Sequence, residues 1–166
     1  MRRTLATLAL ICAGTAGSAA CFGPGTPMFT CTFNGGAKQV NVCLQAGVAL
    51  YSYGPTGGAP ELLMGRDVIG VDMTPWNGVG RTIWEEMTLY SGVFSYILSY
   101  AIDRAPNGAA PEGRLIVGRG DSEVAELVCD AGTVDIADFY PLFEAKEAAG
   151  QTWCAETFSW GAGCER

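Results

Sequence analysis

From residue 21 onward, apolar and polar side chains alternate in short runs separated by Gly, Pro and Asn. That pattern marks strands with one buried face. Phe29, Cys31 and Phe33 alternate with Thr30 and Thr32; Asn34-Gly35-Gly36-Ala37 then turns the chain, and Val40 and Val42 lie on the return strand. Residues 48–53 predict a third strand, ended by Gly54-Pro55, and residues 61–64 a fourth. The clearest hairpin joins residues 82–90 to 93–102 through a two-residue Ser91-Gly92 turn. With Tyr90 opposite Val93, one face carries Ile83, Met87, Leu89, Phe94, Tyr96, Leu98 and Tyr100. The other carries Trp84, Glu86, Thr88, Ser95, Ile97 and Ser99. A slip of one residue would exchange the faces, so the apolar set fixes the register. Two more strands are predicted at 114–118 and 123–129, joined near Gly120-Asp121. Residues 74–80 and 103–113 read as loops.

The tail changes period. Within 135–149, Phe139, Leu142, Phe143, Ala145 and Ala149 recur at roughly helical spacing, and Gly150 follows as a stop. Trp153, Phe158 and Trp160 come next, around Cys154 and Cys164. Eight short strands with this tail predict a mainly all-β fold, an antiparallel barrel or sandwich with a C-terminal helix and a disulfide-bridged tail. The expected organisation is an antiparallel β domain over 21–133, with 134–166 as a helix and bridged loop packed on it.

Residues 1–20 read as a secretory signal peptide. Arg2 and Arg3 give the positive start, residues 5–13 the apolar stretch, and Ser18-Ala19-Ala20 the small residues before cleavage. Gly14, Thr15, Gly17 and Ser18 interrupt the run, and a membrane-spanning helix needs about 20 apolar residues. A minority reading makes Cys21 a lipidated N-terminus, with Ser18 standing where such signals usually carry Leu. Export to the periplasm or the medium follows from either reading, with no transmembrane segment.

Removing residues 1–20 also removes Cys12 and leaves six cysteines: Cys21, Cys31, Cys43, Cys129, Cys154 and Cys164. An even count in an exported chain predicts three disulfides. Cys154 with Cys164 is the expected local pair, across a short stretch containing two glycines. A link from one of the first three cysteines to Cys129 would tie the N-terminal strands to the last one. A metal site is not expected, because no CxxC pair and no histidine occurs.

Charge narrows the partners. Cleavage would leave eight basic against 17 acidic side chains. Such a surface repels nucleic acid and favours a cationic protein partner, or simply keeps the chain in solution. The absence of histidine removes Ser–His and Cys–His catalysis in their usual forms, and oxidised cysteines are not nucleophiles. No cofactor motif is present; Gly78-x-Gly80 is too short for a nucleotide loop.

Several motifs follow one another in a fixed order: Phe29-x-Cys31, Lys38-x-Val40-x-Val42-Cys43, Tyr51-Ser52-Tyr53-Gly54, Glu61-Leu62, Trp76-Asn77-Gly78-Val79-Gly80-Arg81, Phe94-Ser95-Tyr96 and Leu127-Val128-Cys129. That order resembles a group of small bacterial exported proteins of unknown function, over about residues 21–129. Ser52 departs from the group, where a basic residue is expected. The resemblance implies an exported β protein and assigns no catalytic role. In size and cysteine plan alone the chain is also similar to periplasmic inhibitors of C-type lysozyme, without their signature loop.

Two places carry candidate chemistry. Glu85 falls on the apolar face, opposite Leu98 in the expected register; burial there would raise its pKa and suit a general acid, or an Arg would pair with it. Asp67 or Asp72 would supply a second carboxylate for glycoside hydrolysis. The Trp76–Arg81 stretch is the candidate binding loop, with Trp76, Asn77 and Arg81 as its anchors, or Trp76 closes one end of the core. Three functions remain open: a non-enzymatic binding or inhibitor-like module of the cell envelope, an envelope structural or accessory protein, and a carboxylate-dependent hydrolase centred on Glu85.

Overall fold

A computed structural model describes residue 21 and residues 23–164. The expected signal peptide, 1–20, lies outside the described residues. The fold is mostly β and sandwich-like, made of two antiparallel sheets that do not close into a barrel. Each sheet is a meander. The first runs through β1 (Thr26–Phe33), β2 (Lys38–Gln45), β3 (Val48–Pro55) and β4 (Leu62–Asp67). A 3₁₀ turn, Val68–Gly70, leads to the second: β5 (Asp72–Thr74), β6 (Thr82–Ser91), β7 (Phe94–Asp103), β8 (Glu112–Arg119) and β9 (Ser122–Val128). The chain then returns to the first sheet, where β10 (Ile136–Ala137) pairs with the outer side of β1. Helix α1 (Tyr140–Ala148) and a hairpin of β11 (Thr152–Cys154) and β12 (Ser159–Gly161) complete the chain.

The alternation read from the sequence decides what faces inward. Phe29, Cys31, Phe33, Val40, Val42 and Tyr51 from the first sheet meet Met87, Leu89, Leu98 and Leu115 from the second in one core. Gly113 is required where the sheets close: a Cβ there would lie 2.8 Å from both the Cys129 sulfur and the Phe29 ring. The central hairpin turns one residue later than expected, at Gly92-Val93, with Gly92 at φ +61°. Ser91 therefore opposes Phe94, and Glu85 opposes Tyr100 rather than Leu98. The change in pairing is two residues, an even number, so every side chain keeps its expected face.

Three disulfides join Cys21 to Cys43, Cys31 to Cys129, and Cys154 to Cys164. The second bonds β1 to the residue after β9 and so fastens sheet to sheet across 98 positions. Asp130 secures the same corner, accepting from the Gly35 and Gly36 amides at 3.0 and 2.7 Å and from the Thr32 hydroxyl at 2.9 Å. The Cys21 sulfur is bonded to Cys43, which ties the segment before β1 to β2. Three disulfides are the mark of an oxidising compartment. No helix among the described residues is long and apolar enough to cross a membrane.

Within 134–166, β10 joins the first sheet beside β1. One expectation needs correction: the helix is shorter than 135–149, because Ile136 and Ala137 pair with Thr30 and Phe29, and Pro141 in the first turn sets the start.

Candidate functional site

The C-terminal hairpin leans on β5, where the Trp160 indole donates to the Met73 carbonyl at 2.7 Å. Helix α1 is pinned beside it by Lys146. That ammonium is fully buried and donates to the Val68 carbonyl at 2.9 Å and to the Val71 carbonyl. It also lies 5.0 Å from the Trp160 ring centre. Burial pushes the Lys146 pKa down, with the Asp72 charge opposing. Between α1, the hairpin and the loop after β5 a cleft of about 520 Å³ opens.

Aromatic rings wall this cleft. Tyr140 and Phe143 stack on the helix side at 5.7 Å; Trp153 and Phe158 meet edge-on at 6.2 Å on the hairpin side; Trp76 closes the loop side. Trp76 is itself fixed, donating through its indole nitrogen to the Val79 carbonyl at 3.1 Å. The Asn77 side chain accepts from the Val79 amide at 3.0 Å and shapes the turn. The Arg104 guanidinium lies 5.0 Å from the Trp76 ring centre.

Glu85 lies at the base, 8% exposed. Its Oε2 accepts from the Tyr100 hydroxyl and, at 3.0 Å, from the Phe139 amide; the Trp76 amide also donates to the carboxylate. Burial pushes its pKa up, and the Tyr100, Phe139 and Trp76 hydrogen bonds pull against that rise. These donors come from β7, from the start of α1 and from the loop after β5. Glu85 therefore ties β7, the start of α1 and the loop after β5 together at the base of the cleft.

The structure thus brings Trp76, Asn77 and Glu85 to one place and leaves Arg81 out of it. Arg81 grips Asp103 with two hydrogen bonds, 2.8 and 2.6 Å, because the strand pairing sets Asp103 beside the start of β6. The second carboxylate needed for hydrolysis is not at the cleft. Among the described residues lining it, Glu85 is the one acid. Asp67 caps the 3₁₀ turn through the Ile69 amide at 3.1 Å, and Asp72 lines a neighbouring depression. No group of three or more metal-ligating side chains is assembled among the described residues.

Sequence reading missed the tail's share of the site. Tyr140, Phe143, Trp153 and Phe158 were visible as aromatics, but only the fold brings them over β6. Phe158 carried no signal for its conformation, a left-handed φ of 50° that bulky residues adopt only when their surroundings hold them there. Comparison of the chain with family models, with curated proteins and with solved structures finds no match.

Proposed function

We propose that the protein is an exported, non-enzymatic binding module of the cell envelope, inhibitor-like in that it acts by holding a basic protein partner. The cleft receives one apolar side chain of that partner as an anchor. The observation that carries this reading is a preformed aromatic cleft whose outermost wall, Phe158, is 68% exposed on a strained turn. Aromatic anchors in pockets carry most of the energy of protein interfaces. Strain kept at an exposed ring points to use rather than to packing. The acidic excess supports a basic partner by steering its approach. The hydrogen bonds onto Glu85 favour a positioning role for it over proton transfer. Export rests on the disulfides and on the signal-like first 20 residues, and we extend it to membership of the exported bacterial group that residues 21–129 resemble.

The test uses a photo-crosslinking residue in place of Phe158 in the disulfide-intact protein, with Leu63 on the other sheet as control. Each is exposed to envelope extract. The reading expects one basic protein captured from position 158, lost on Trp153→Ala and not captured from position 63. Equal capture from both positions, or none from 158, overturns it.

A further inference from the structure

Glu86 follows Glu85 on β6, and strand alternation turns it to the outer face of the second sheet. Its neighbours across the sheet are Thr74 on β5 and Ser99 on β7. The carboxylate is partly buried, and among the described residues it has no hydrogen-bond or ion-pair partner. Burial alone pushes its pKa up. Its oxygens keep access to solvent, so the carboxylate is open to a ligand entering from the outer face.

Glu86 lines a depression of about 410 Å³ between the sheet and the C-terminal hairpin. Asp72, Thr88 and Tyr90 line it from the sheet side, and Phe158 and Ser159 from the hairpin. Phe158 also lines the aromatic cleft, so one side chain separates the two spaces. Asp72 accepts from the Tyr90 hydroxyl at 2.6 Å. That hydrogen bond, together with burial and the charges of Asp72 and Glu86, pushes the Tyr90 phenol up to about 12. Both acids therefore act on the same small volume, and no Lys or Arg side chain lines it among the described residues. The set of two carboxylates with Thr and Ser hydroxyls offers acceptors at several angles. A guanidinium or ammonium, with three or more N–H donors, fits that demand.

We infer that this trough is the second half of the partner site: it takes an arginine or lysine from the same partner segment whose neighbouring apolar side chain fills the cleft, with Phe158 as the ridge between them. The inference rests on the cleft reading above and extends it from a basic partner to a two-point segment.

Its test uses capped synthetic peptides. One set carries a leucine and an arginine separated by one, two or three glycines; the controls carry the leucine alone or the arginine alone. Binding to the ¹⁵N-labelled, disulfide-intact protein is followed by NMR. At least one paired peptide should bind five-fold or more tighter than the leucine control and shift the amides of Glu86 and Phe158. In the Asp72→Asn, Glu86→Gln double variant that gain should vanish, with the leucine control bound as before. A gain that persists in the double variant, or an arginine that adds nothing while leucine still binds, overturns the trough and leaves the cleft standing. If no peptide shifts the amides of Trp153 and Phe158, the cleft reading fails and the trough with it.

Discussion

Glu85 and Glu86 are adjacent on β6, and the strand sends them to opposite faces of the second sheet. Glu85 points into the body, where the Tyr100 hydroxyl and the Phe139 and Trp76 amides close around it. Glu86 points outward into a trough and has no such partner among the described residues. Burial raises the pKa of both carboxyls, and only at Glu85 do hydrogen bonds oppose the rise. The difference separates two jobs that a sequence shows as one repeated letter: an acid that holds the fold together and an acid that the fold holds out to a ligand.

The largest effect expected of breaking this pair is from Glu85→Ala. It leaves the Tyr100 hydroxyl and two amides without an acceptor, so stability should fall by about 3 kcal/mol in urea unfolding. Glu85→Gln keeps one acceptor oxygen but turns an NH₂ toward donors, and should lose about 1–2 kcal/mol. Lys146→Met tests the neighbouring fastening. Its loss takes the ammonium donor from the Val71 carbonyl and leaves the Val68 carbonyl with the Val71 amide alone, with an expected decrease of about 1–2 kcal/mol. Glu86→Gln should move stability by no more than about 0.5 kcal/mol while abolishing the arginine-dependent gain in peptide binding. A large stability loss there would erase the distinction.

The pH dependence sharpens it further. A raised carboxyl pKa means the folded state prefers the protonated form. Glu85 should therefore make stability fall as pH rises from the unfolded value, about 4.3, through its higher folded value. Asp103 works the other way. The Arg81 guanidinium and the Ala105 amide hold it down at about 2, so its contribution is complete above the ordinary range and is lost as pH falls toward 2. Asp130, held low by the Gly35 and Gly36 amides, acts in the same sense. Subtracting the Glu85→Gln stability profile from that of the unaltered protein should isolate a downward step with rising pH above the ordinary carboxylate range.

Much of this architecture was readable because a two-residue period survives errors that a precise register does not. The hairpin turned one residue late, yet Ile83, Met87, Leu98 and Tyr100 stayed inward, since the pairing moved by an even number. The local Cys154–Cys164 bridge followed from proximity, whereas Cys31–Cys129 required knowing which strands end at one corner. Short elements escaped. The three residues of β5 and two of β10 are too few to show a period, and β10 was absorbed into the helical spacing that starts at Phe139. Glu85 was legible as a polar residue on an apolar face. Glu86 was not, because an acid on a mixed face looks like any solvated charge until a hairpin from the far end of the chain covers it.

The most direct test measures both glutamates the same way. Urea stability and paired-peptide affinity are determined for Glu85→Gln and Glu86→Gln side by side. The account predicts a stability loss confined to Glu85→Gln and loss of the arginine-dependent affinity in Glu86→Gln at unchanged stability. Equal stability losses in the two variants, or an arginine gain untouched by Glu86→Gln, would contradict it.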